Sequence, residues 1–280
     1  MNQVQKNDIR PPAVANMFYP GNPKVLENEI DNLLTRAPII KLNGEITALV
    51  CPHAGYMYSG AVAAVGYNLL KGRDYSVVAI ISPSHREYFP GVSVFTGKGY
   101  ETPLGLAPVA SELAEALIAQ NRLIQSSWAG HHNEHALEVQ LPFLQKVLKD
   151  AKIIPIVMGD QEIDTCQILG EALATILQET TALIIASSDL SHYHPYPEAV
   201  AIDRRTSDLI AAFDDAALLH ALRSGVCEAC GGGPIAAAMI ATKKEGAKNS
   251  RVLRYQNSGD VTGDHSAVVG YLSAVFGNLN

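Results

Sequence analysis

The amino-acid sequence predicts an α/β fold in which a central, largely parallel or mixed sheet is flanked by helices. Three observations carry this. Short apolar runs recur at 46–51 (ITALVC), 76–82 (SVVAIIS), 92–97 (VSVFTG), 151–159 (AKIIPIVMG) and 181–188 (TALIIASS). Such near-continuous runs suit strands buried on both faces. Segments with helical spacing lie between them, and that alternation points to a layered architecture. No internal repeat, low-complexity tract or Ser/Gly-rich linker divides the 280 residues, so one domain over 1–280 is expected.

Taken in order, residues 22–37 open with Asn22-Pro23, a cap and first-turn pair for a helix. The strands at 46–51, 76–82 and 92–97 follow. Residues 111–120 (SELAEALIAQ) start with Ser and carry apolar positions at helical intervals. Residues 133–150 (NEHALEVQLPFLQKVLKD) and 167–180 (QILGEALATILQET) read the same way, with a kink expected at Pro142. Beyond 189 the chain is more helical, through 211–225 and 231–246. Two closing runs, 251–259 and 266–276, read as strands.

Composition excludes several classes. The net charge of -7 and the lack of a basic stripe argue against nucleic acid as a partner. No apolar run approaches the roughly 18 residues a membrane helix needs. The N-terminus lacks the basic-then-apolar pattern of a signal peptide. Four scattered cysteines do not make a secreted disulfide framework, so a cytoplasmic protein with reduced thiols is expected.

Three of the nine histidines fall just after predicted strands: His53 after 46–51, His85 after 76–82 and His192 after 181–188. Open α/β sheets bind ligands outside the carboxyl ends of their strands. Imidazole serves there either as a metal ligand or as a base near neutral pH. Cys230, ahead of three glycines and Pro234, is the best further donor, because a thiolate at a helix N-terminus has a lowered pKa. With Cys227 it also forms C-x-x-C, a redox pair or half a zinc knuckle, although no second C-x-x-C exists. Cys51 reads as a core thiol.

In HHNEHALEVQ, a helix would put His131, Glu134, His135 and Glu138 on one face. Glu134 or His135 then either reaches into the same cleft or belongs to a polar helix start. Asp189, three residues before His192, could orient an imidazole, bind substrate or cap the next segment. His194 and His265 are weaker candidates. The phosphate-binding, dinucleotide and serine-hydrolase glycine motifs are all absent.

Together RPPAVANMFYP (10–20), PHAGYMYSG (52–60), SPSHR (82–86), EHALEVQLPFL (134–144), SSDLSHY (187–193), EACGGGP (228–234) and SGDVTGDHSAVVGYLSAVF (258–276) resemble the Memo family over nearly the whole chain. Asn16 departs from the glycine expected in the first of these motifs, at a turn. Bacterial and archaeal relatives are often labelled as the B protein of the AmmeMemoRadiSam system, which implies a radical-SAM protein as partner. The resemblance implies the fold of class III extradiol ring-cleaving dioxygenases, whose iron is held by two histidines and a glutamate. Carried over, His53 and His85 are the metal-binding histidines, Cys230 stands at the carboxylate's position, and His192 matches the general base. With Asp189 as the second catalytic residue, the expectation is an oxidoreductase acting on an unidentified small molecule with Fe(II), or with copper or zinc. Two alternatives stand: a non-enzymatic protein that binds metal or peptide in a vestigial cleft, and a metal-free Cys230 nucleophile with His192 as base.

Overall fold

The large sheet owes its parallel centre to four strands that bury almost every side chain. A computed structural model describes residues 3–280. In chain order the elements are β1 (Ile9–Arg10), α1 (Pro23–Arg36), β2 (Gly44–Cys51), α2 (Tyr56–Asn68), β3 (Val77–Pro83), β4 (Val92–Val94), β5 (Gly99–Thr102) and β6 (Gly105–Pro108). There follow α3 (Ser111–Ile118), β7 (Ile124–Ser126), α4 (Gln140–Val147), β8 (Lys152–Met158), α5 (Ile163–Leu177), β9 (Ala182–Ser187) and β10 (His192–His194). The last third holds α6 (Tyr196–Ala211), α7 (Asp215–Arg223), α8 (Gly232–Lys244), β11 (Asn249–Asn257), α9 (Ser258–Thr262) and β12 (Val268–Leu279). Among the described residues no helix is long and apolar enough to cross a membrane.

The sheet runs β10-β12-β2-β9-β3-β8-β4-β7, with β11 paired on β12. β2, β9, β3 and β8 are mutually parallel, and β3 is buried at every position, as strands covered on both faces must be. β12 adds antiparallel to β2, and β4 adds antiparallel to β8, so the sheet is mixed. A small sheet, β1-β5-β6, lies apart from it. One helical layer contains α1, α2 and α4, with α2 against β2 and β12; the other contains α5, α7 and α8, with α8 against β9 and β3.

Local chemistry explains the helix starts. The Asn22 side chain accepts from Lys24 N–H and Val25 N–H at 3.1 and 3.2 Å. Leu26, Ile30 and Leu34 then form the buried stripe of α1. The expected 133–150 helix is shorter than its pattern. Residues 136–139 are a turn, and α4 begins only at Gln140. Pro142 therefore lies in the first turn, where no N–H is needed, and causes no kink. The four acidic and histidine side chains of that region share no helix face. Asn16 takes the left-handed φ of 65° that its turn requires, and its Oδ1 accepts from Gly21 N–H at 2.9 Å. Asparagine tolerates that region better than most residues, so the turn forms without the glycine expected there.

The topology fixes where loops converge. β9 is inserted between β2 and β3, so three adjacent parallel strands end side by side. Their last residues are Cys51, Ser187 and Pro83. His53, Asp189 and His85 each lie two residues further on. Neighbouring strands are about 4.8 Å apart, so side chains from β2 and β3 can meet over the end of β9.

Candidate metal centre

His53, His85 and Cys230 offer ligand atoms that all lie within 4.8 Å of one another. The rings of His53 and His85 meet edge to face with centroids 5.1 Å apart. The Cys230 Sγ is 3.2 Å from His53 Nε2.

The protonation of His53 follows from counting hydrogens. Its Nδ1 is 2.9 Å from Ser187 Oγ. That hydroxyl accepts from Gln140 Nε2 at 2.8 Å and donates its one hydrogen to Ala136 C=O at 2.7 Å. Nothing remains for it to give to His53, so His53 Nδ1–H is the donor and Nε2 keeps a bare lone pair. Gln140 is itself held: its Nε2 also donates to Pro52 C=O at 3.0 Å, and its Oε1 accepts from Tyr67 O–H at 2.7 Å. Burial, followed by the neighbouring His85 and His135, holds the His53 pKa well below the usual imidazole value. A neutral imidazole with a free Nε2 is the form a metal needs.

His85 is prepared in the same way by Glu134. Glu134 Oε1 lies 3.0 Å from His85 Nδ1, and Oε2 accepts from His85 N–H at 2.6 Å. Oε1 also accepts from His135 N–H and Ala136 N–H, each at 2.9 Å. Burial opposes its ionisation. Hydrogen bonds from His135, His85 and Ala136 outweigh that and keep its carboxyl well below the usual range. An ionised carboxylate against Nδ1–H fixes the tautomer and strengthens the other nitrogen as a ligand. His85, Glu134 and His135 also lie close enough to hold an ion. However, the carboxylate is already filled by these donors, so it acts as an orienting group. His135 faces both other rings, at 5.3 Å from His53 and 4.7 Å from His85.

The loop of Glu134 is pinned by Arg10, a fully buried guanidinium. Its Nε donates to His131 C=O at 2.9 Å and its Nη2 to Glu134 C=O at 2.5 Å, while Nη1 pairs with Glu138. Glu138 also takes the Ala13 and Val14 N–H groups and the Tyr19 hydroxyl. The motif at 10–20 and the motif at 134–144 are thus two halves of one clamp.

Cys230 arrives from the loop before α8. Its N–H donates to Asp189 C=O at 3.1 Å, and Asp189 N–H donates to its sulfur at 3.2 Å. Gly231 permits this approach, since a Cβ there would lie 2.2 Å from Ser187 C=O. The expected lowered thiol pKa is not found. Burial, and then the Asp189 carboxylate, push it up, and the N–H groups of Asp189 and Gly231 do not compensate. Cys227 and Cys230 are both free thiols. Cys227 is buried, whereas Cys230 faces His53 with its sulfur 3.2 Å from Nε2. Cys51 is a buried core thiol, as expected.

Asp189 is buried, and its Oδ1 accepts from His53 N–H at 2.8 Å. It therefore braces the His53 and Cys230 loops, and its hydrogen bonds do not go to His192. His192 is not one of the three grouped ligands; it is half-buried, with Nδ1 2.8 Å from Leu190 C=O. With Cys230 it lines a cavity of about 580 Å³ bounded by Leu190, Leu219 and Leu222. Ser187, Gln140 and Arg10 were missed in the sequence, because a lone Ser, Gln or Arg carries no spacing signal.

Fold and site define a class: a mixed α/β protein that gathers two prepared imidazoles and one thiol at the carboxyl edge of parallel strands. A family model described as Memo-like protein matches residues 10–275. A MEMO1 family protein of Methanosarcina mazei is 42% identical over 271 residues, 96% of this chain and 99% of that protein. One from Methanothermobacter thermautotrophicus is 39% identical over 272 residues, covering 94% and 98%. The chain belongs to the Memo family. A crystal structure of an uncharacterized protein from Escherichia coli matches with a TM-score of 0.56 at 15% identity, over 82% of this chain and 99% of that one. That is a likeness of fold alone.

Proposed function

We propose that this Memo-family protein binds a metal ion through His53, His85 and Cys230 and uses it as an oxidoreductase on a small molecule. The supporting observation is that both imidazoles commit Nδ1–H to fixed acceptors, Ser187 and Glu134, so both Nε2 lone pairs are free near one thiol. Imidazole suits iron, copper and zinc, and thiolate favours Cu(I), zinc and iron. Fe(II) is the first choice, because it would supply activation of dioxygen or of an oxygen-bearing substrate. Around it the chain's own groups have separate tasks. His53 enters neutral, Cys230 gives up its thiol proton on ligation, and Asp189 braces both loops. His192 Nε2, by likeness to ring-cleaving dioxygenases, receives a substrate proton in the cavity it shares with Cys230.

A second reading, a non-enzymatic metal binder, is favoured by one feature. A thiolate replaces the carboxylate of the ring-cleaving enzymes and is itself prone to oxidation. The test is anaerobic Fe(II) loading of wild type and Cys230→Ala, then oxygen uptake across a catechol and small-molecule panel. One equivalent of metal in the wild type, little in the variant, and uptake with a panel compound are expected. Full occupancy in the variant overturns the ligand set. Tight binding without uptake leaves the second reading.

A further inference from the structure

Asp203, on α6, is a fully buried carboxylate outside the cluster just described. Among the described residues no cation pairs with it, and burial pushes its pKa up. A buried acid without a partner cation costs stability unless its oxygens satisfy other groups. Here they do. Oδ1 accepts from Ser191 N–H at 2.9 Å and Oδ2 from Tyr255 O–H at 2.7 Å.

The space for this carboxylate is made by Gly270 on β12, where a Cβ would lie 2.0 Å from Asp203 Oδ2. Gly270 also grips the same loop by backbone. Leu190 N–H donates to Gly270 C=O at 2.8 Å, and Gly270 N–H donates to Ser191 C=O at 3.0 Å.

The link to His192 runs through one peptide plane. Ser191 N–H and Leu190 C=O belong to the same amide, which is planar and trans, so its two ends point in opposite directions. Asp203 holds the N–H end. The C=O end lies 2.8 Å from His192 Nδ1. A carbonyl only accepts, so Nδ1 carries the hydrogen and Nε2 is bare.

We infer that Asp203 is the positioning residue for His192: by holding the 190–191 amide it fixes the ring's direction and its Nδ1–H tautomer. The inference deepens the reading of His192 as proton acceptor, and its readout needs no metal.

The test is the long-range proton–nitrogen spectrum of protein labelled with ¹⁵N-histidine, comparing wild type, Asp203→Asn and Asp203→Ala. Wild type is expected to show His192 as the Nδ1–H form. Asp203→Asn is expected to keep it, because the amide oxygen still accepts from Ser191 N–H and the amide N–H can donate to Tyr255. Asp203→Ala is expected to lose it in favour of the Nε2–H form that a free imidazole prefers. Fe(II) affinity of the Asn variant should stay within about twofold of wild type, because no ligand contact changes. An Nε2–H form in the wild type overturns the inference even if the Ala variant does not fold. A folded Ala variant with an unchanged His192 signal, or an Asn variant as altered as the Ala one, overturns it as well.

Discussion

Replacing Glu134 with Gln perturbs the proposed metal centre without touching a proposed ligand. The carboxylate accepts four N–H hydrogen bonds, from His85 Nδ1 at 3.0 Å, His85 N at 2.6 Å, and His135 and Ala136 N–H at 2.9 Å each. Its Oε1 also lies 3.0 Å from His135 Nδ1. Glutamine offers one oxygen and one NH₂. With the oxygen kept for the three hydrogen bonds on Oε1, the NH₂ faces His85 N–H, donor against donor. A lost hydrogen bond to a charged group is worth about 1.5–3 kcal/mol, and that is the expected fall in stability of the metal-free protein. Removing the carboxylate partner of a ligating histidine costs about 10–100-fold in metal affinity, or about 1.4–2.7 kcal/mol. The assay is an anaerobic Fe(II) competition titration on wild type, Glu134→Gln, His85→Ala and the double variant. In the His85→Ala background the Gln substitution should change affinity by less than about twofold, since its effect acts through His85. Wild-type affinity in the single variant, or a full additional loss in the double variant, refutes the reasoning.

Other consequences concern protons and neighbours. Ser187→Ala removes the acceptor for His53 Nδ1–H and orphans Ala136 C=O. Its Fe(II) affinity should fall about tenfold or more, and wild-type affinity in the same titration would contradict the tautomer assignment. The Cys230 thiol is pushed up by burial and Asp189, so it is protonated at neutral pH and must lose its proton to ligate. Affinity should therefore rise about tenfold per pH unit between pH 6 and 8. Calorimetry in buffers of different ionisation enthalpy should show about one proton released, and a flat profile would count against thiolate ligation. His131 is fully buried, and its pKa is lowered to about 3 by burial and Arg10. Below the ordinary value of 6.5 the unfolded chain takes up a proton that the native chain refuses. This contribution is complete above 6.5 and is lost as pH falls toward 3, by roughly 1.4 kcal/mol per pH unit. Stability measured by urea unfolding between pH 4 and 6 should depend on pH less steeply, by about one proton, in His131→Asn. Equal slopes would show that His131 is not held neutral.

The strands were legible because burial on both faces leaves an unbroken apolar run, and β2, β3, β8 and β9 lie where such runs predict. Their ends told where His53 and His85 would be. The order β2-β9-β3 was not legible, since nothing local to 182–187 says that it inserts between two earlier strands. α2 was missed for the opposite reason to the strands' success. It is nearly apolar all round and buried against α1, α4 and β12, so it has no amphipathic stripe. The helical spacing of 133–150 runs on through Glu134–Val139, where no helix forms. There a buried ion pair with Arg10 and a carboxylate saturated by N–H donors hold a turn instead. Cys230 was legible as a donor from its glycines, but its proton was not. Sequence spacing suggested a helix-end thiolate, while burial and the facing Asp189 decide the other way.

The most direct test is X-ray absorption at the iron edge of anaerobically Fe(II)-loaded protein, wild type beside Cys230→Ala. One sulfur scatterer with imidazole nitrogen in the wild type, and loss of the sulfur shell in the variant, is the expected result. A wild-type spectrum with no sulfur shell, or one that Cys230→Ala leaves unchanged, would contradict the assignment of His53, His85 and Cys230 as the metal centre.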